Sequence, residues 1–281
     1  EVASAAMITD VYVDALGVGG DGIGRRTDDE KVVFVPGGLP GDRWRGTLEA
    51  RGTRAFVLRN ALRLEDGPQR VPATCPARPQ CGGCDWHELD PGASAEAKRT
   101  MLVDSLRRLA RYEGDLTCVI EAPQGAEVGG RHRVGLKVEG HELAYVEQGS
   151  HHRVAVQSCA ALAPPLEAVM LSLGRALPEL PPGLVGVQAS LSAKGQAAAA
   201  RLAVVEGLTV SAVKHLCQAV LANSALDGVW LVHNGQVVSA GEVRLKGLIG
   251  TGFSQRYRLR GGGFHQASPR INEALIRELL I

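Results

Sequence analysis

Residues 75–86 read CPARPQCGGCDW, which sets Cys75, Cys81 and Cys84 in the spacing C-x5-C-x2-C with Gly82 and Gly83 inside the last pair. The remaining cysteines stand at 118, 159 and 217. Such clustering is unlike the spread of a secreted disulfide framework and points to a metal centre. Two adjacent glycines let the backbone fold tightly around a bulky group and aim amide N–H groups at anionic sulfurs. An iron–sulfur cluster needs a fourth thiolate, and Cys159, in VQSCAAL after a strand-like run, is the candidate. Three alternatives stay open: zinc held by Cys75, Cys81, Cys84 and His87, a redox-active CGGC pair, weakened because no helix opens at Cys84, and plain free thiols. Cys118 and Cys217 occupy apolar positions of a strand and a helix and read as core filling.

Outward from this loop, residues 66–92 are rich in proline and turn residues and form a connection, not a regular element. Before it, Val11 and Val13, Val32 to Val35 and Phe56 to Leu64 are strand-like runs divided by glycines, so residues 1–65 read as a small β-barrel. Gly17, Gly19 and Gly22 spell the dinucleotide fingerprint G-x-G-x-x-G, but a strand follows where that motif requires a helix. After the loop, Ser94, Ala97, Met101, Leu102, Leu106 and Leu109 have helical spacing, with Ser94 as the expected N-cap of a helix over 94–112. Val134, Leu136 and Val138 then alternate with basic residues in a strand whose hairpin partners lie in 142–156. Helices near 164–176 and 209–223 alternate with strands near 184–192, 200–205 and 229–239, and a last helix starts at about Pro269. The fold class expected is α+β.

Hydrophobic residues at 45% and charged ones at 22% exclude a disordered chain. The 31 Lys plus Arg nearly cancel 30 Asp plus Glu, so a polyanionic partner must be met by local basic surface. Arg244, Lys246, Arg256, Arg258, Arg260 and Arg270 supply one, in a stretch without acidic residues. The arginines at 256, 258 and 260 share one face of a strand, as phosphate contacts require, and Arg131 and Arg133 form a smaller group. A solvated edge strand guarded by charge is the competing reading of both. No apolar run approaches the roughly 18 residues of a membrane span and no signal-peptide pattern opens the sequence, so no membrane partner and a cytoplasmic location are expected.

Together these pieces resemble a known family. The barrel ending in FVPGGLPGDRW, the C-x5-CGGC loop and the helix with AEAKRTML look like the uracil-5 RNA methyltransferases that carry an N-terminal TRAM domain and a [4Fe-4S] cluster. GRHRVGLKV and AYVEQGSHHRVAVQSCAAL are similar to that family's central strands and fourth cluster cysteine, and GGGFHQASP resembles the F-x-Q-x-N-P segment opening its catalytic domain. The resemblance implies an OB-like TRAM barrel over 1–65, a cluster loop over 66–92 and a helix over 93–115 that packs on the catalytic domain. It further implies a central RNA-binding α/β domain over 116–260 and the start of a Rossmann-like methyltransferase domain over 261–281. Cys75, Cys81, Cys84 and Cys159 become the [4Fe-4S] ligands, Gln266 a contact to S-adenosyl-L-methionine and Phe264 an aromatic beside the target base. Ser268 departs from the family's asparagine.

Neither D-L-Y-C-G-x-G, which binds the methyl donor in that family, nor D-P-P-R-x-G, which precedes its nucleophilic cysteine, occurs in this sequence. The resemblance therefore implies a chain lacking most of the catalytic domain, without catalytic residues of its own, inactive alone, and served by that domain in cis or in trans. The implied substrate is RNA, ribosomal rather than transfer RNA. The competing reading is a stand-alone RNA-binding iron–sulfur or zinc module.

Overall fold

The computed structural model describes residues 8–26, 29–78, 80–114, 129–147, 150–249, 255–262 and 268–279. Its mixed α and β elements form two compact units that interleave in sequence: one runs through Ala73 and resumes at Gly82, the other takes Thr74–Cys81 and the described residues from 129 onward. The 66–92 loop, a single connection by composition, is thus divided between the units.

In the first unit β1 (Ile8–Leu16), β2 (Gly22–Arg25), β3 (Val32–Val35), β4 (Arg43–Arg51) and β5 (Ala55–Glu65) close a barrel in the order β1-β2-β3-β5-β4. All ladders are antiparallel except β3 with β5. Alternation turns Val11, Val13, Val33 and Val35 inward onto Leu58. Gly24 sits where a Cβ would lie 2.3 Å from the Tyr12 carbonyl oxygen, so β1 and β2 can cross at that spacing only over glycine. The Gly17–Gly22 segment joins β1 to β2 with no helix after it, which disposes of the dinucleotide motif.

One carboxylate organises the end of the barrel. Asp42 is fully buried and accepts from the Leu39 and Gly67 amides at 2.8 and 2.7 Å and from Trp44 Nε1 at 3.1 Å. Arg70, itself only 3% exposed, pairs with Asp42 through Nε and Nη2 and also reaches the Gly37 carbonyl and Glu88.

Helix α1 (Pro91–Leu109) starts earlier than expected. Asp90, not Ser94, is its N-cap, its side chain accepting from the Ala93 amide at 3.0 Å, because Pro91 suits the first helical position, where no N–H is needed. Asp90→Ala should lower the urea stability of this unit by about 1 kcal/mol, and Ser94→Ala should leave it unchanged.

The second unit is a seven-stranded sheet ordered β12-β11-β10-β9-β6-β7-β8. Its strands are β6 (Arg133–Glu139), β7 (Glu142–Val146), β8 (Arg153–Ala155), β9 (Leu184–Leu191), β10 (Ala198–Val204), β11 (Gly228–His233) and β12 (Gln236–Gly241). The strand expected over 229–239 is a hairpin, since Asn234 and Gly235 both adopt positive φ, 48° and 75°, as a two-residue primed turn demands. Helices α2 (Pro164–Ala176) and α3 (Val210–Asn223) cover one face. Their Leu166, Met170, Leu173, Val213, Leu216 and Cys217 meet Val134, Leu136, Val187, Leu202, Val229 and Leu231 in a single core. Cys217 does fill core, as its apolar position suggests, and Cys118 lies outside the described residues. A separate hairpin, β13 (Arg244–Ile249) with β14 (Gln255–Arg260), precedes α4 (Pro269–Leu279).

Candidate functional site

Thr74–Cys81 joins the second unit through Ala77, which packs against the large core, and through Cys81, which bridges to Glu147 just beyond β7. The Cys81 amide donates to the Ala77 carbonyl at 2.8 Å and the Arg78 amide to the Cys75 carbonyl at 3.2 Å, so the segment forms successive tight turns. Cys81 is buried and Cys75 half-buried.

Cys159 arrives from the other end of this region. Its amide donates to Glu167 Oε1 in the first turn of α2 at 3.1 Å, its carbonyl accepts from the Leu162 amide, and its side chain packs on the core. Tyr145, on the core side of β7, donates its hydroxyl to Cys159 Sγ at 3.7 Å. Burial pushes the Tyr145 hydroxyl far above its ordinary value, the Cys159 and Cys81 sulfurs push it further, and Arg131 opposes them. Cys81 and Cys159, remote in sequence, therefore act on one buried hydroxyl.

Cys84 belongs to the barrel unit. The residues after it are fixed there: Trp86 Nε1 donates to the Gly20 carbonyl at 3.0 Å, the Asp85 carboxylate lies against Gly20, and Lys98 stands over the Trp86 ring. Among the described residues no three or more His, Cys, Asp and Glu side chains are gathered to hold a metal ion. Of the proposed ligands, Cys81 and Cys159 are brought to one place within the second unit, beside the Tyr145 hydroxyl, and thiols are the donor chemistry an iron–sulfur cluster takes.

The basic residues separate by environment. Arg131 is exposed, but its backbone is tied to Ala161 and Ala163, and its charge bears on Tyr145 near the cysteines. Arg133 opens β6 half-buried. On β14 the backbone register sets 256, 258 and 260 on one face; Arg258 is exposed, whereas Arg260 lies 4.8 Å from the centre of the Trp230 ring. The Arg256 side chain, Phe264 and Gln266 lie outside the described residues. Ser268 is nine-tenths buried, and its Oγ accepts from the Ile271 amide at 3.4 Å, capping α4. Serine is among the residues preferred at a helix N-cap, which suits Ser268 to the start of α4.

Sequence reading missed Tyr145 and Trp230. Tyr145 shares its face of β7 with buried Leu143, a placement that alternation in AYVE could have signalled. Trp230 was visible only as one of three tryptophans.

No family model matches the chain. It is 31% identical over 159 residues to an uncharacterized RNA methyltransferase of Synechocystis, covering 54% of this chain and 33% of that protein. It is 30% identical over 164 residues to the 23S rRNA (uracil(1939)-C(5))-methyltransferase of Shewanella halifaxensis, covering 57% and 37%. With the Pseudomonas putida protein of the same name it shares 27% identity over 271 residues, 93% of this chain and 58% of that protein. The chain thus spans between about a third and three fifths of the length of the curated relatives it matches. Among solved structures, the tRNA (uracil-54, C5)-methyltransferase of Pyrococcus abyssi in complex with S-adenosyl-L-homocysteine has the same fold, with a TM-score of 0.69 at 16% identity over 96% of this chain and 64% of that one.

Proposed function

We propose that this chain is the RNA-binding and iron–sulfur portion of an S-adenosyl-L-methionine-dependent methyltransferase acting on C5 of a uridine in RNA, ribosomal RNA in particular. The observation that carries the proposal is the alignment with the Pseudomonas putida 23S rRNA enzyme across 93% of the chain. The barrel and sheet shared with the Pyrococcus abyssi enzyme support it at the level of fold.

Methylation of uracil at C5 needs a thiolate that adds to C6, a sulfonium methyl for C5 to attack, and a base that removes the C5 proton. The D-L-Y-C-G-x-G and D-P-P-R-x-G motifs that bring those groups in the family do not occur in these 281 residues. Phe264 and Gln266 would mark the margin of the donor and base pocket. The barrel is read as a TRAM domain, and Cys75, Cys81, Cys84 and Cys159 as ligands of a [4Fe-4S] cluster that clamps the cysteine loop onto the sheet. When bound, the cluster supplies cross-linking between segments; Tyr145 would lend its hydroxyl to one ligand sulfur.

The test is binding of a uridine-containing 23S rRNA fragment against transfer RNA, followed by detection of 5-methyluridine once the reacting domain and methyl donor are present. Absence of RNA binding would remove the reading. Binding dominated by phosphate should weaken with salt on a log–log plot, and Arg256→Glu with Arg258→Glu should reduce the slope by roughly 0.7 for each single-strand phosphate no longer neutralised. Unchanged affinity and slope in that double variant would take β14 out of the interface.

A further inference from the structure

We infer that Tyr145 is a positioning residue that acts through Cys159: its hydroxyl donates to the Cys159 sulfur and thereby raises the reduction potential of the cluster. This rests on the iron–sulfur reading above and gives a side chain outside the cysteine set a task in it.

Strand register makes the placement. Tyr145 and Glu147 stand two residues apart at the end of β7 and so share one face of the sheet. Residues opposite each other in an antiparallel bridge carry their side chains on the same face, and Cys81 is bridged to Glu147. Cys81 is thus brought to the face that carries Tyr145. On β8, Val154 pairs with Tyr145, and the chain runs on through Val156, whose amide donates to the Leu143 carbonyl at 2.9 Å, to Cys159. Tyr145, Cys159 and Ala77 all pack against the same core.

The hydrogen bonds of the two cysteines leave this sulfur to a side chain. Backbone amides are one source of donors to cluster sulfurs. Here the Cys159 amide is committed to Glu167 Oε1 at 3.1 Å and the Cys81 amide to the Ala77 carbonyl at 2.8 Å. Among the described residues the donor to Cys159 Sγ is the Tyr145 hydroxyl, at 3.7 Å. A phenol keeps its proton at neutral pH and therefore serves as a donor, whereas phenylalanine would fill the same space without one.

The consequence is electronic. Reduction adds negative charge to a centre whose ligand sulfurs are already anionic, and a donor aimed at one of those sulfurs favours the reduced form. Arg131 and Glu167 place charges of opposite sign nearby, Arg131 acting on the Tyr145 hydroxyl and Glu167 on the Cys159 amide. The hydroxyl acts on the sulfur itself, so its removal isolates the effect.

The test uses the 281-residue chain purified without oxygen. Tyr145→Phe keeps the ring and should retain the wild-type iron and sulfide content. Titration with dithionite, one electron per cluster, followed by electron paramagnetic resonance of the reduced form, should give a midpoint potential more negative than that of the wild type. Resonance Raman spectra in light and heavy water read the bond directly: the wild-type iron–thiolate stretch should shift on exchange, and Tyr145→Phe should lose most of that shift. Tyr12→Phe, which removes an exposed hydroxyl from β1 of the barrel unit, should change neither quantity. Equal potentials and equal isotope shifts in Tyr145→Phe and the wild type would overturn the role of Tyr145 while the cluster stands. Loss of iron from Tyr145→Phe would overturn it as well, since the hydroxyl would then hold the centre rather than tune it. A wild-type chain without iron would overturn both readings.

Discussion

Asp42→Ala is expected to destabilise the barrel unit by about 3–5 kcal/mol, a large share of the stability of a small domain. The loss has two parts. Removing the carboxylate leaves the Arg70 guanidinium, 3% exposed, without its main counter-charge, and it strands the Leu39 and Gly67 amides and the Trp44 indole N–H. Arg70→Met in the same chain should recover part of the loss, because the uncompensated charge goes with it. Urea unfolding followed by tryptophan emission measures both, and a midpoint unmoved by Asp42→Ala would refute the role given to this pair. The pH dependence has a definite sign. Burial alone would raise the Asp42 carboxyl, but Arg70, the Leu39 and Gly67 amides and Trp44 together hold it below its ordinary value of 3.8. A carboxyl lowered by folding stabilises in full above that ordinary value and loses its contribution as pH falls from there through the folded-state value. Wild-type stability should therefore fall on acidification through this window, and the Asp42→Ala chain should show less of that fall.

None of this could be read from Gly-Asp-Arg-Trp at 41–44, because burial of Asp42 depends on a chain segment that returns only at Gly67 and Arg70. What was legible is local. Alternation gave the inward valines of the barrel and the apolar face of β6, and three-to-four spacing gave α2 and α3 nearly to the residue. Local rules failed where a stronger local rule was overlooked: Pro91 for the start of α1, Asn234-Gly235 for the break in the last sheet hairpin. The candidate site was half legible. Cysteine spacing marked the loop, but the partition of Cys81 and Cys84 between units, the Tyr145 hydrogen bond to Cys159 and the arginines around Trp230 are products of strand register, which spacing does not encode. Arg260 shows the difference plainly: alternation groups it with Arg258, and it is strand register, which spacing does not encode, that sets its guanidinium 4.8 Å from the centre of the Trp230 ring.

Cys159→Ser should abolish most of the bound iron, and Cys217→Ser should abolish none, although both remove one sulfur from the same unit. Chain purified without oxygen is the material, with iron, sulfide and zinc analysis and visible absorption as readouts. The contrast follows from environment. A cluster ligand must be a thiolate with room for iron beside it. Cys217 is sealed in the core by α3, and burial pushes its thiol up, away from the anionic form. Cys159 sits at the end of a loop, its amide fixed by Glu167 and its sulfur accepting from the Tyr145 hydroxyl. Serine preserves the backbone hydrogen bond to Glu167 and nearly the volume, so loss of iron in that variant would come from the missing sulfur rather than from collapse of the loop. Cys217→Ser instead places a hydroxyl among Leu216, Val213 and their neighbours, and its cost should appear in the melting temperature, not in the iron content. Equal iron in the two variants would dissociate Cys159 from the centre, and one zinc per chain with no iron in the wild type would return the choice to Cys75, Cys81, Cys84 and His87.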